Sequence, residues 1–252
     1  MCFLPNPPSQ HYDENYIEER GHTDIETDLF SAKKATANYY LSLLEKQQKP
    51  AKLLEIGCST GITMQTAREM GWQVSGVEVN RAAICFAKNN FGIENILSGP
   101  LHKSMFPEKS FSAAIMLDVI EHIEQPKEFL EILKATLKPK GTLLIVTPNI
   151  DSLSARIMKT KWPHLFLEHV CLYSPKSIRL LFEKSGFKVK QIDWAKKYVT
   201  LKMLKKHLQC HPNSFLAKPL RSALKLFKGL ENIVFPFNLG EMFVIAEKED
   251  KK

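Results

Sequence analysis

Two histidines each stand beside a glutamate, His122 in DVIEHIEQP and His169 in FLEHVCLY, and either could take a proton from a substrate near neutral pH. Glu121 and Glu168 could orient those imidazoles or hold a divalent ion, but no spacing compels a metal and none is expected. Each histidine also has a plainer reading: His122 as a loop-orienting or cofactor-contacting residue, His169 as a satisfied packing residue. A third feature is LLEIGCSTG at residues 53–61, where Glu55 interrupts an apolar run and glycines open and close a stretch of small side chains. A strand, a glycine-rich turn and a helix present backbone N–H groups to a ligand at the helix N-terminus. No lysine follows Gly61, so the phosphate-binding G-x-x-x-x-G-K-[ST] pattern is absent, and Ser59 and Ile62 break G-x-G-x-x-G. The loop is not built for a pyrophosphate.

These residues sit in an alternation of strand and helix patterns. AKLLEIG, WQVSGVEV, ENILSG, FSAAIMLDVI and TLLIVTP read as five successive strands, and FKVKQIDW and EMFVIAEK as a sixth and a seventh. Asn80 is placed to cap the helix that follows the second strand, and Ser174-Pro175 to open a later one. The runs AAIML and LLIV are apolar on both faces, as in a parallel sheet covered by helices on each side. The expected fold is therefore α/β, a doubly wound, mostly parallel, seven-stranded Rossmann-like sheet with helices on both faces. Residues 1–49 are expected to form an arm and a helical entry segment over Asp24–Lys49, and residues 50–194 the cofactor-binding core. Within that core residues 149–173 make a long connection over the substrate, with KPKG breaking the pattern before the fifth strand. A basic, amphipathic insertion spans 195–240, and 241–252 hold the last strand and a charged tail.

The pattern E-x-G-x-S-x-G resembles the first motif of class I S-adenosylmethionine-dependent methyltransferases, with Ser59 standing at the middle glycine. Glu78 ends the second strand seventeen residues after Gly61, where that family places an acceptor for both ribose hydroxyls. Residues 111–149, with DVIEH before a helix and LKPKG after it, are similar to the small-molecule branch, in particular to ubiquinone-biosynthesis-type O-methyltransferases. The resemblance implies S-adenosylmethionine as cofactor, held by Glu55, Gly57, Cys58, Ser59, Gly61, Glu78 and Val79, and by Leu117 and Asp118 at the end of the fourth strand. It gives Glu55 a reason, since a cationic ligand welcomes a carboxylate that a pyrophosphate would repel. The family's acid after the third strand is missing, because Gly99-Pro100 stands there, and the adenine contact is left unassigned. Trp162, Phe166 and Tyr173 either wall an apolar acceptor or pack the connection onto the sheet.

Composition bounds the partners. The chain has 252 residues, 44% hydrophobic and 25% charged, which suits one large α/β domain with additions and argues against disorder. A formal charge of +8 leans towards anionic partners. Five scattered cysteines without a CxxC pair suit reduced thiols, and no secretory pattern opens the chain, so a cytoplasmic protein is expected. Residues 196–232 interleave nine lysines and arginines with apolar side chains and one acid. That segment reads as a substrate lid with a solvated face, or as peripheral contact with an anionic membrane. The expected partner is a small-molecule acceptor methylated at oxygen, with lipid-linked and quinone-type molecules among the candidates; the nucleic-acid signal is weak, and the oligomeric state is not legible. Two other readings stay open: an RNA methyltransferase, and a non-catalytic protein that keeps the cofactor cradle.

Overall fold

The computed structural model describes residues 2–3, 28–210 and 232–249. The proline-rich start and residues 211–231 of the basic segment lie outside the described residues. Helix α1 (Asp28–Glu45) turns its apolar face to the sheet, and Tyr40, Leu41 and Leu44 are fully buried there. The helical pattern expected up to Lys49 ends four residues earlier: Leu44 C=O accepts from both Gln47 and Gln48 N–H, and Pro50 follows.

The alternation then runs as β2 (Lys52–Ile56), α2 (Ile62–Glu69), β3 (Gln73–Glu78), α3 (Arg81–Phe91), β4 (Ile96–Ser98), β5 (Phe111–Leu117), α4 (Pro126–Thr136) and β6 (Leu137–Pro148). Asn80 Oδ1 accepts from Ala83 N–H at 3.0 Å and caps α3. KPKG does not delay the strand as the sequence suggests. Strand β6 already pairs at Leu137 with Phe111, takes a bulge, and resumes with Thr142 opposite Ala113. Lys140, at φ 56°, absorbs that bulge in a left-handed conformation.

Seven strands form one sheet in the order β4-β3-β2-β5-β6-β11-β8, where β8 is Phe187–Trp194 and β11 is Glu241–Lys248. The pairs from β4 to β6 are parallel, and β11 runs antiparallel to both β6 and β8. Alternate residues feed two cores. Ala114, Met116 and Ile145 pack under α4 and α6 (Pro175–Lys184), while Ala113, Ile115 and Val146 pack under α1 with Trp72. The chain lays down β2, β3 and β4 outward on one side and then returns to place β5 on the other. The carboxyl ends of β2 and β5 therefore part at a topological switch point, where this kind of sheet opens a ligand crevice.

Two excursions overhang that crevice. Residues 149–173 carry a short helix α5 (Leu153–Met158) and strand β7 (Cys171–Leu172), which pairs with β1 (Cys2–Phe3). The described residues of the segment after β8 include two strands and a helix. Strand β9 (Lys197–Thr200) pairs antiparallel with β10 (Val234–Phe237), with helix α7 (Leu201–Cys210) between. Strand β9 is tied to α1 because Lys196 N–H donates to Tyr40 Oη and Tyr198 N–H to Thr36 Oγ1, each at 2.9 Å. Among the described residues no helix is long and apolar enough to cross a membrane.

Candidate active site

A cleft of about 1050 Å³ opens at the carboxyl ends of β2, β3 and β5 and has two halves. The first is made of backbone. Gly57, at φ 69°, donates its N–H to Val77 C=O at 2.8 Å, and a Cβ there would stand 2.6 Å from Val119 Cγ2. Gly61, at φ 78°, lies so close to α3 that a Cβ would meet Ala87 Cβ at 2.8 Å. Ser59, at φ 46°, also sits in the left-handed region, which explains why the family prefers glycine there. Its N–H donates to Glu78 Oε2 at 2.7 Å, while Asn80 N–H donates to Oε1 at 2.8 Å. Glu78 thus clamps the loop to the end of β3 and keeps further lone pairs for a ligand.

Of the residues expected to hold the cofactor, Gly57, Ser59, Glu78, Val79, Leu117 and Asp118 line this cleft. Glu55, Cys58 and Gly61 do not, and each has a physical reason. The Glu55 carboxyl lies within reach of Thr63 and Met64 at the start of α2, and its Oε2 is buried without a hydrogen-bond partner. Burial, and to a lesser degree nearby Glu78, raise its pKa well above the usual carboxylate range. Its place under α2 sets it apart from the cleft wall that Glu78 and Asp118 line. The Cys58 thiol packs with Met64, Ile84 and Ala87, and its backbone N–H is spent on Val77 C=O. Gly61 serves the close approach of loop and α3. Gly99, Pro100, Leu101 and His102 line the cleft beyond β4, where the adenine contact was left unassigned.

The second half is made of side chains. His122 Nδ1 lies 2.8 Å from Glu168 C=O, and His169 Nδ1 lies 2.9 Å from His164 C=O. A carbonyl can only accept, so in their neutral forms both rings carry the proton on Nδ1 and a lone pair on Nε2. The two rings meet edge to face at 4.8 Å. Burial, then the neighbouring His122, push His169 down to about 3; burial and Lys197 push His164 down to about 4. Glu121 is fully buried: its Oε2 accepts from Thr147 Oγ1 at 2.9 Å and its Oε1 has no hydrogen-bond partner. Burial and Asp118 raise its pKa well above the ordinary value. Glu121, His122 and His169 each offer one donor atom within 4.8 Å of the others, a nitrogen–oxygen set that could hold a divalent ion, although the sequence points to none. Phe166 lines the cleft; Trp162 instead packs inward, its Nε1 donating to Ser154 Oγ and Leu239 C=O, and Tyr173 is fully buried.

Among the lining residues that the sequence does not assign to a site are His164, Lys197 and Glu241. Lys197, counted from sequence among the cations of a lid or membrane face, enters the cleft wall instead. Its ammonium bonds Asp118 Oδ2 at 2.7 Å and also Glu241 Oε1. Nothing local marks these residues: Lys197 opens β9 and Glu241 opens β11, and the two meet beside Asp118, which follows β5.

Seven carboxyl side chains but only two lysines line the cleft, so the pocket of this basic protein is itself acidic. Asp118 Oδ1 is buried there without a hydrogen-bond partner. A cationic ligand with donor groups fits this set, and a pyrophosphate does not.

Comparison with known proteins agrees. A family model described as "Methyltransferase domain" matches residues 30–192. The mitochondrial ubiquinone biosynthesis O-methyltransferase of Schizosaccharomyces pombe is 33% identical over 102 residues, 38% of this chain and 37% of that protein. The tRNA U34 carboxymethyltransferase of Pseudoalteromonas translucida is 29% identical over 150 residues, 57% of this chain and 47% of that one. The matches thus span less than half the length of these curated relatives. Among solved structures, a SAM dependent methyltransferase from Archaeoglobus fulgidus superposes with a TM-score of 0.59 at 19% identity, covering 87% of this chain and 94% of that chain. With its family match, its sheet order and the glycine loop at the switch point, this chain belongs to the methyltransferase-domain family, the S-adenosylmethionine-dependent class that the residues around Gly57 resemble.

Proposed function

We propose that this protein moves a methyl group from S-adenosylmethionine to an oxygen of a small-molecule acceptor. One observation carries the reading: Glu78, clamped to the glycine loop at the end of β3, faces an acidic cleft inside a protein of net charge +8. Glu78 would take the ribose hydroxyls. Asp118 Oδ1, buried and without a donor, suits the cofactor's ammonium, and the backbone from Gly57 to Ser59 lets the ligand lie close. When bound, S-adenosylmethionine supplies a methyl group on a cationic sulfur.

The chain's own residues then bind, align and remove a proton. His122 is the base: its Nδ1–H is held by Glu168 C=O, which leaves Nε2 as the ring atom that takes the proton of an acceptor O–H. His169, which burial keeps neutral down to low pH, orients the ring of His122 edge-on rather than taking the proton itself. Phe166 gives the acceptor side an apolar wall.

Titration calorimetry with S-adenosylmethionine and S-adenosylhomocysteine tests the cofactor. Micromolar binding of both is expected, and a folded sample that binds neither would sink the active-enzyme reading. Binding without turnover on phenols, quinol precursors and lipid-linked sugars would favour a non-catalytic cradle. A second reading, methylation of RNA, is favoured by the tRNA-modifying relative and by the net charge. The acidic cleft weighs against it, since a polyanion would meet carboxyl groups at the reacting centre. Salt-sensitive retention on RNA would restore it. Contact of residues 196–232 with an anionic membrane is part of the proposal, and suits an acceptor with a lipid tail. Co-sedimentation with anionic vesicles should drop when 211–231 are replaced by a neutral linker; unchanged binding removes the idea.

A further inference from the structure

The mechanism above leaves Lys197 of the cleft wall unused. Lys197 carries three N–H donors, of which Asp118 Oδ2 and Glu241 Oε1 take two. The third has no partner among the described residues, and 35% of the side chain is open to the cleft that His122 also lines. The backbone that carries this side chain is held on both sides. Before it, Ala195 N–H bonds Glu241 C=O at 3.0 Å, and Lys196 N–H bonds Tyr40 Oη. After it, Tyr198 N–H bonds Thr36 Oγ1. Asn238 ties Ala195 C=O and Glu241 C=O together from β10's end. The ammonium therefore reaches the cleft wall with one donor beyond the two that its carboxyl partners take. A donor fixed in advance and aimed into a shielded cleft is how proteins stabilise charge that develops during reaction.

Resting on the methyl-transfer reading, we propose that Lys197 donates its third N–H to the acceptor oxygen and holds it as an oxyanion. The proton of the acceptor O–H passes to His122 Nε2, leaving an imidazolium, and the electron pair stays on oxygen beside the ammonium. This favours acceptors whose O–H is already acidic, such as phenols and enols, over aliphatic alcohols, whose anions lie too high for one ammonium to rescue. The groups that face Lys197 are Asp118, Glu121, Glu241, His164 and Tyr40.

The probe is 4-nitrophenol, whose anion is seen by its visible absorbance, added to the full chain loaded with S-adenosylhomocysteine. The bound phenol should ionise about one pH unit lower than the free phenol, equivalent to about tenfold preference for the anion. Lys197→Met should erase that shift and Lys197→Arg retain most of it, with S-adenosylhomocysteine affinity certifying the fold of each. If Lys197→Met does not fold, the pair Lys197→Met and Glu241→Gln removes the carboxylate left unpaired and carries the test. A purely structural lysine would leave the shift intact wherever the cofactor product still binds. Persistence of the shift in the methionine variant, no shift in the parent, or no phenol bound to loaded protein each overturns the inference. Loss of S-adenosylhomocysteine binding by the parent itself fails the cofactor reading, and calorimetry on the same sample tells the two failures apart.

Discussion

The two halves of the cleft are built in opposite ways. The cofactor half is one contiguous stretch, residues 57–61, plus Glu78 and the turn after it, and its function lies in backbone conformation. The acceptor half draws His122, His164, His169, Lys197 and Glu241 from four separate segments, and its function lies in side chains. Because the first half depends on φ angles that few residues adopt, it leaves a spelling in the sequence. The second depends on tertiary placement and leaves almost none. The contrast implies that changes in the acceptor half should damage chemistry while sparing cofactor binding, and changes in the cofactor half the reverse.

The largest effect belongs to His122. Replacing it with Ala should lower kcat by about 10²–10⁴-fold, the range for loss of a positioned base, with S-adenosylhomocysteine affinity unchanged. Parallel loss of both would collapse the distinction between the halves. Next comes Gly61→Ala, which must place a methyl group 2.8 Å from Ala87 Cβ at φ 78°. Overpacking and left-handed strain together should cost about 2–4 kcal/mol of folding stability, read by denaturant unfolding. An unshifted midpoint would mean the loop and α3 part more easily than their contact suggests.

What the sequence made legible follows the same division. The apolar runs AAIML and LLIV already read as strands buried on both faces, and the sheet places them next to one another at its centre. Gly57, Ser59 and Glu78 were found by spacing because the loop and the strand end are local. Glu55 is legible only in part: sequence shows that an acid interrupts the strand, not that its side chain lies by Thr63 and Met64. Lys197 was misread for a related reason. In a run of lysines, composition assigns every one to solvent, whereas strand pairing of β9 with β10 turns this one inward to Asp118 and Glu241. No periodicity in one segment can report a partner supplied by another.

Glu78→Ala should weaken S-adenosylmethionine binding by about 10–100-fold, since two hydroxyls lose a charged acceptor and the loop loses its clamp at Ser59. The acceptor half should be untouched, so turnover at saturating cofactor should fall by much less. Unchanged affinity in a folded variant would move the ribose elsewhere and leave the glycine loop as scaffold alone.

The smallest effect separates the two accounts of Glu55. If its carboxyl attracted the cofactor's cation, Glu55→Gln would weaken binding as strongly as the loss of Glu78. With the side chain turned to Thr63 and Met64, affinity should stay within about threefold of the parent, well under 1.4 kcal/mol. Stability should change in a direction fixed by burial. The native carboxyl has a raised pKa, so its favourable contribution is complete below the unfolded value and is lost as pH rises towards the folded one. Glutamine has no proton to lose, so the variant should gain on the parent as pH rises above the ordinary carboxylate range towards the raised folded value, in paired thermal melts. A stability difference flat with pH would show that Glu55 is ionised in the native protein, and would return its charge to the ligand.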